Sequence, residues 1–329
     1  MQKILVTGAT GFIGTHLVKA LVKKNYLVCI LHRASSNLEA FLSLGSSVTY
    51  VQGDVTDPSS LDKAIQGKDY VFHLAGLISS SHKDKALMEK INVEGTRHVI
   101  QACLRHSIKR LIYVSSVVAV GASANKEILN EDSVYEDKLN KLSYFDTKKR
   151  AEELVRFAVQ NENLPAVILN PSTVYGEGDV KKDSRKLQKL AAKGKLPFYT
   201  QGGVSVVGVE NVVQAIINST TLGKIGERYI LSGENIEIQH LLQSISKAAN
   251  VQSPFLKVPQ FLFYILGFIG DILSYIKISF PFTLEKVKVA SLYHWFDSTK
   301  AQKELNFTPG LAKEAIVKSV LWSKKNKFI

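Results

Sequence analysis

The chain has 329 residues, 45% of them hydrophobic and 22% charged, which suits a soluble protein with a sizeable core and excludes a disordered or fibrous one. It has only two cysteines, Cys29 in an apolar strand-like run and Cys103 in a helix-like run, so no disulfide framework or metal cluster is written here; both suit buried small side chains. The net charge of +13 favours anionic partners such as phosphorylated cofactors, acidic ligands or a lipid surface, but no nucleic-acid motif accompanies it and nucleic acid is not expected as a partner.

Residues 2–7 read as a strand that opens the sequence with no basic leader and apolar segment before it, so a cytoplasmic location is expected. The strand runs into Thr7-Gly8-Ala9-Thr10-Gly11-Phe12-Ile13-Gly14 and then a helix from His16 to Lys24. Glycines let the backbone turn tightly and approach a pyrophosphate, whose charge the helix start favours. The spacing is GxxGxxG, a departure from the usual GxGxxG dinucleotide fingerprint.

A second strand, 27–31, ends at His32-Arg33, and no acidic residue occurs between Val6 and Glu39. An acid near this point holds a ribose 2′-hydroxyl, whereas an arginine accommodates a 2′-phosphate. NADP(H) is therefore favoured, with NAD(H) the alternative. The alternation continues through strand 48–52, Asp54-Val55, helix 59–66, strand 70–74 and Ala75-Gly76. A long helix over 83–106 contains Asn92, and strand 110–114 delivers Ser115-Ser116 at its carboxyl end. Strands alternating with helices imply a parallel sheet whose ligands lie beyond the carboxyl ends of the strands.

In a helix-like run, Tyr144 and Lys148 are four residues apart and share one face. A free phenol has a pKa of about 10, and bringing it near neutrality takes about 4 kcal/mol of phenolate stabilisation. An adjacent ammonium in a desolvated cleft is expected to supply that, and the tyrosine can then exchange a proton with a carbonyl or alcohol.

The glycine-rich turn, Asp54-Val55, His73-Leu74-Ala75-Gly76, Asn92-Val93-Glu94-Gly95-Thr96, Ser115-Ser116, Tyr144-xxx-Lys148 and Asn170-Pro171-Ser172-Thr173-Val174-Tyr175-Gly176, in this order, resemble the extended short-chain dehydrogenase/reductase (epimerase/dehydratase) family. Trp295-Phe296-Asp297-Ser298-Thr299-Lys300-Ala301 extends the match, and the second half is similar to the dihydroflavonol reductase-like and 3β-hydroxysteroid dehydrogenase-like branch. The resemblance implies that Tyr144 is the general acid/base, that Lys148 lowers its pKa and holds the nicotinamide ribose, and that Ser116, five residues before Gly121, binds the substrate oxygen. It further implies a cofactor held by Gly8, Thr10, Gly11, Phe12, Ile13, Gly14, Arg33, Asp54, Val55, Leu74, Ala75, Gly76, Ser115, Pro171 and Ser172, with Asn92 in a proton path or a helix bend. Val117 and Val118 replace the acidic pair of the family's sugar-nucleotide dehydratases, which argues against dehydration.

The second half is less regular. Lys181, Lys182, Arg185, Lys186, Lys189, Lys193 and Lys195 form either a solvated helix face or an electrostatic funnel. Residues 204–209 read as a strand, 212–217 as a helix, 228–231 as a strand and 238–249 as a helix. Residues 258–270 carry no charge and are shorter than the roughly 20 residues of a membrane span. The preferred reading is a helix walling an apolar substrate cleft, with peripheral membrane contact through 258–276 as the alternative, and a lysine-rich C-terminus would suit an anionic surface.

The expected protein is α/β, with a doubly wound parallel (Rossmann) sheet over 1–170 and a smaller C-terminal α/β substrate lobe over 171–329, of which about 204–224 returns to the first sheet. The expected activity is an NADP(H)-dependent oxidation or reduction of an apolar small-molecule alcohol or carbonyl, with a homodimer compatible. The alternatives are an NAD-retaining nucleotide-sugar epimerase and a non-catalytic dinucleotide sensor.

Overall fold

Residues 3–7, Lys-Ile-Leu-Val-Thr, are buried after the first because both faces of the strand are covered, as parallel strands require. The computed structural model describes residues 2–79, 81–136, 143–179, 186–275, 280 and 283–329. The first half runs β1 (Lys3–Thr7), α1 (Phe12–Lys23), β2 (Leu27–His32), β3 (Val48–Gln52), α2 (Pro58–Ile65), β4 (Tyr70–His73), α3 (Lys85–Met88), α4 (Gly95–Arg105), β5 (Arg110–Val114), β6 (Ile128–Leu129), α5 (Ser143–Glu162) and β7 (Ala166–Pro171). The second runs β8 (Thr173–Tyr175), α6 (Lys186–Ala192), β9 (Phe198–Tyr199), β10 (Gly203–Gly208), α7 (Val209–Asn218), β11 (Arg228–Leu231), β12 (Glu234–Glu237), α8 (Ile238–Ala249), β13 (Leu256–Lys257), α9 (Gln260–Tyr275), α10 (Leu284–Ser291), β14 (Tyr293–Phe296), α11 (Thr299–Leu305) and α12 (Ala312–Lys325).

Seven parallel strands form the main sheet in the order β11-β7-β5-β4-β1-β2-β3. Alternate residues of each strand feed two cores. Ile4 and Val6 pack with Leu17 and Leu21 of α1 and Val212 and Ile216 of α7. Leu5 and Val71 pack on the other face with Leu61 of α2, Val99 of α4 and Val155 of α5. Helices on both faces make the sheet doubly wound. Cys29 and Cys103 are both buried in the second core. Strand order reverses between β1 and β4, which opens a crevice at the carboxyl ends of the strands.

The segment 204–224 divides differently from the expectation. Its strand, β10, pairs with β8 and β14 in parallel and with β12 antiparallel, so it centres the second sheet and does not enter the first. Its helix, α7, packs on the first sheet beside α1. The strand that completes the first sheet is β11, which pairs with β7. Helices α8 and α12 cover β10 to form the core of the smaller lobe. Lys181, Lys182 and Arg185 of the basic stretch, and Ile276 of the apolar one, lie outside the described residues.

Candidate active site

The turn after β1 forms a cradle that only glycine can line. Gly8 has φ +70°, and a Cβ there would stand 2.6 Å from the Ala75 nitrogen. At Gly14 a Cβ would stand 2.2 Å from the Gly8 carbonyl oxygen and 2.7 Å from the Ala9 Cα. The Gly11 amide donates to the Gly8 carbonyl at 3.0 Å, and Gly11 then caps α1, which Phe12 opens. The first bond inside the helix comes from Thr15 to Gly11, so the Ile13 and Gly14 amides have no partner within α1, whose first turn carries no acid to compete with a phosphate. Thr10 sits in the same turn.

The remaining cofactor candidates line the same edge. Asp54 is half-buried past β3 and accepts the Thr56 amide through one carboxylate oxygen, with Val55 buried beside it against Gly95. Leu74, Ala75 and Gly76 follow β4, where the Leu74 amide donates to the Thr7 carbonyl and the Ala75 amide to the Thr7 hydroxyl. Arg33 is exposed past β2 and makes no ion pair among the described residues. Pro171 and Ser172 close β7, and the Ser172 hydroxyl is shielded with no hydrogen-bond partner among the described residues. A glycine cradle, a helix start and one orphaned hydroxyl in line along one sheet edge fit an elongated anionic ligand such as a dinucleotide.

Ser116 leaves β5 in an extended conformation, its Oγ accepting the Val118 amide at 3.4 Å, and it lies beside Tyr144 at the start of α5, near enough to bear on the phenol's pKa. Lys148 lies one turn along and donates to the Val114 carbonyl at 3.3 Å and the Tyr113 hydroxyl at 3.5 Å. The net shift of the phenol nevertheless runs upward, against the expectation. Burial pushes Tyr144 up to about 12, opposed by Ser116, so the resting side chain is a neutral phenol. Burial also pushes Lys148 down to about 8, opposed by the Glu152 carboxylate.

The Ser115 hydroxyl donates to Glu152 Oε2 at 2.6 Å, so its side chain is committed to a buried carboxylate, which leaves its backbone to meet a cofactor. The sequence reading missed Glu152, although Tyr144, Lys148 and Glu152 repeat at four-residue spacing on one helix face. The carboxylate also accepts from Asn170 at 2.7 Å and from Arg228 at 3.3 Å, tying α5 to β7 and β11. Neither pairing has a local signal.

Asn92 sits where the expected 83–106 helix widens into a π-turn, Glu89–Glu94. Its side chain accepts the Leu77 amide at 2.7 Å and donates to the Leu77 carbonyl at 3.0 Å and the Thr147 hydroxyl at 3.1 Å, so it latches the loop after β4 to α5. Beneath it Thr96 donates to the Asn92 carbonyl at 2.6 Å and so accepts from His73 Nε2; His73 Nδ1 in turn accepts from Thr7 at 2.7 Å. Burial, with the nearby charge of Lys148, holds His73 down at about 3 and therefore neutral.

A doubly wound sheet with a glycine cradle at its switch point, and a serine, tyrosine and lysine converging beside it, defines an extended short-chain dehydrogenase/reductase, a nicotinamide-dependent enzyme. Residues 5–234 match the model of the 3-beta hydroxysteroid dehydrogenase/isomerase family, and the chain belongs to that family. It is 30% identical to the putative dihydroflavonol 4-reductase of Synechocystis sp., over 98% of this chain and 95% of that protein. Sterol demethylase protein B of Methylococcus capsulatus is 27% identical over 99% of both chains. The crystal structure of gox2253 superposes with a TM-score of 0.88 at 31% identity, covering 100% of each chain. A nucleoside-diphosphate-sugar epimerase from Pseudomonas aeruginosa shares the fold, with a TM-score of 0.80 and 23% identity over 100% of this chain and 99% of that one.

Proposed function

We propose that this enzyme is an NADP(H)-dependent oxidoreductase acting on the carbonyl or secondary alcohol of an apolar, ring-bearing small molecule. The observation that carries the reading is the convergence of Ser116 at the end of β5 with Tyr144 and, one turn along α5, Lys148, on the same sheet edge as the glycine cradle. The nicotinamide supplies or accepts the hydride. A carbonyl oxygen placed between the two hydroxyls takes a hydrogen bond from Ser116 and receives the Tyr144 proton as the hydride reaches its carbon, giving the alcohol; oxidation runs the same steps in reverse. Lys148, cationic below about pH 8, stabilises the phenolate left behind.

Arg33 past β2, held by no carboxylate among the described residues, supports a 2′-phosphate over a bare ribose. The neighbouring Val117 and Val118 offer no acid for dehydration. The names of the similar proteins, a putative dihydroflavonol 4-reductase and a sterol demethylase component, support a hydrophobic ring substrate.

The test is consumption of NADPH and NADH over a panel of hydrophobic ring ketones, with a sugar nucleotide included. Tyr144→Phe is expected to lower kcat by about 10²–10⁴-fold while binding NADPH as the parent does. Arg33→Asp is expected to move preference towards NADH. Activity retained by Tyr144→Phe would remove the proton-transfer role, and a parent enzyme preferring NADH would overturn the reading of Arg33.

A further inference from the structure

Helix α9 presents an apolar stripe to solvent. Phe261, Ile265, Phe268 and Ile272 recur at intervals of four, three and four residues, flanked by Leu262 and Ile269, and all six are between 41% and 64% exposed. No described element covers this side of the helix, so the cleft wall expected from the sequence would have to be an open one. The opposite side makes the packing: Phe263 lies edge-on to Phe198 at 6.0 Å, and Gly267 approaches Leu284 and Val287 of α10. The helix's one charged residue, Asp271, is turned to α10, where it accepts the Leu284 amide at 3.3 Å.

The stripe continues onto the small sheet just before it. Phe255 and Leu256 are exposed, Leu256 pairing with Phe198, and Lys257 pairing with Tyr199. Exposed Lys193 and Lys195 precede the partner strand β9, and Lys257 is exposed as well. Neither 186–209 nor 238–270, the stretches that build this face, contains an aspartate or glutamate, although the chain has 29. Over these stretches the face is apolar at its centre and carries positive charge at its edge.

We propose that α9 and β13 seat the protein on the surface of an anionic lipid bilayer, with the helix lying in the interface plane. The 16 described residues of α9 span about 24 Å, less than the roughly 30 Å hydrocarbon core, and no described helix is long and apolar enough to cross a membrane. Charge decides between a membrane and a second copy of the chain. Two such faces together would bring Lys193, Lys195 and Lys257 of both copies into proximity on molecules of +13 each, whereas anionic headgroups neutralise them. The face is layered on α10, beyond which the His294 ring meets Phe145 at 5.9 Å, one residue from Tyr144. An apolar substrate held in the bilayer would thus lie on the side of the smaller lobe that reaches the catalytic helix.

Co-sedimentation of the full chain with vesicles of phosphatidylcholine, with and without phosphatidylserine, tests the docking and needs no substrate or activity. The parent is expected to bind the anionic vesicles at least about tenfold more tightly than neutral ones, and to weaken in high salt. Combined Phe261→Ser, Ile265→Ser and Phe268→Ser is expected to lose about tenfold or more in binding while keeping its melting temperature and NADPH affinity. Combined Lys193→Glu, Lys195→Glu and Lys257→Glu is expected to remove the preference for anionic lipid. A parent that stays in the supernatant overturns the proposal. So does a serine variant that binds vesicles as the parent does, or one whose only change is conversion of a dimer to a monomer.

Discussion

Burial acts on Tyr144 and Lys148 in opposite electrical senses: it holds the phenol protonated, up to about 12, and pulls the ammonium down to about 8. At neutral pH the pair is thus loaded for reduction, with a proton on the donor and a positive charge beside it. The ammonium is lost as pH rises through about 8, so reductive kcat/KM is expected to be flat between about pH 6 and 7 and to fall above about 8. A pH profile of Lys148→Arg, whose charge persists throughout, should lack that alkaline limb; an unchanged limb would assign it to another group. The same burial weakens the fold. Between about 8 and the unfolded value of about 10.4 the unfolded chain binds more protons, so stability rises with pH across that window, and below it the full penalty is present. Lys148→Met is therefore expected to be more stable at pH 7 by ~1–3 kcal/mol in denaturant melts, and far less active.

The elements around these residues are held by polar latches whose partners lie far apart in sequence. The π-turn that displaces Asn92 lets one side chain satisfy Leu77 and Thr147 together, joining the loop that borders the cofactor cradle to the first turn of α5. Gly76 sits against the same amide, where a Cβ would lie 3.3 Å from Asn92 Oδ1. Asn92→Ala leaves these buried groups without their partner and is expected to cost about 1–3 kcal/mol of stability. Because the loop also borders the cradle, the variant should raise the KM for NADPH several-fold. A melt showing the loss with cofactor KM unchanged would restrict Asn92 to a folding role. Glu152 forms a second latch a turn beyond Lys148, where Ser115, Asn170 and Arg228 converge on its carboxylate and fix α5 against β5, β7 and β11.

Across the whole molecule, the two lobes meet around α5. Arg228 of β11 reaches Glu152 with Nη1 and donates to the Glu131 carbonyl with Nε at 2.9 Å, while Glu131 accepts the Ile230 amide at 2.8 Å. His294 of β14, in the smaller lobe, reaches Phe145 beside Tyr144. Under the proposed function a substrate reaching Tyr144 would lie between the lobes, and a dinucleotide would lie along the edge of the larger one. Ligand that binds only the folded state stabilises it by mass action, about 2.7 kcal/mol at a hundred times its Kd. At equal concentration NADPH is expected to raise the melting temperature more than NADH, and Arg33→Ala should abolish that difference. Equal shifts in the parent would show that the 2′-phosphate is not recognised.

The amino-acid sequence by itself determined the features whose causes are local. Strand, glycine turn and helix are contiguous over residues 3–23, and Tyr144 and Lys148 share a helix face by spacing alone, so both are legible in the order of residues. The resemblance already pointed to Ser116; what tertiary structure added is that the Ser115 hydroxyl is closed off by Glu152, a partner 37 residues along the chain whose approach no local signal announces. Tertiary structure also placed β10 in the second sheet and β11 in the first, since both read as short apolar strands and the choice rests on pairing with partners far away in the chain. The exposure of α9 was hidden for a similar reason: an uncharged helix reads alike whether it walls a cleft or faces outward, and only the packing of Phe263 and Gly267 against neighbours reveals the side left uncovered.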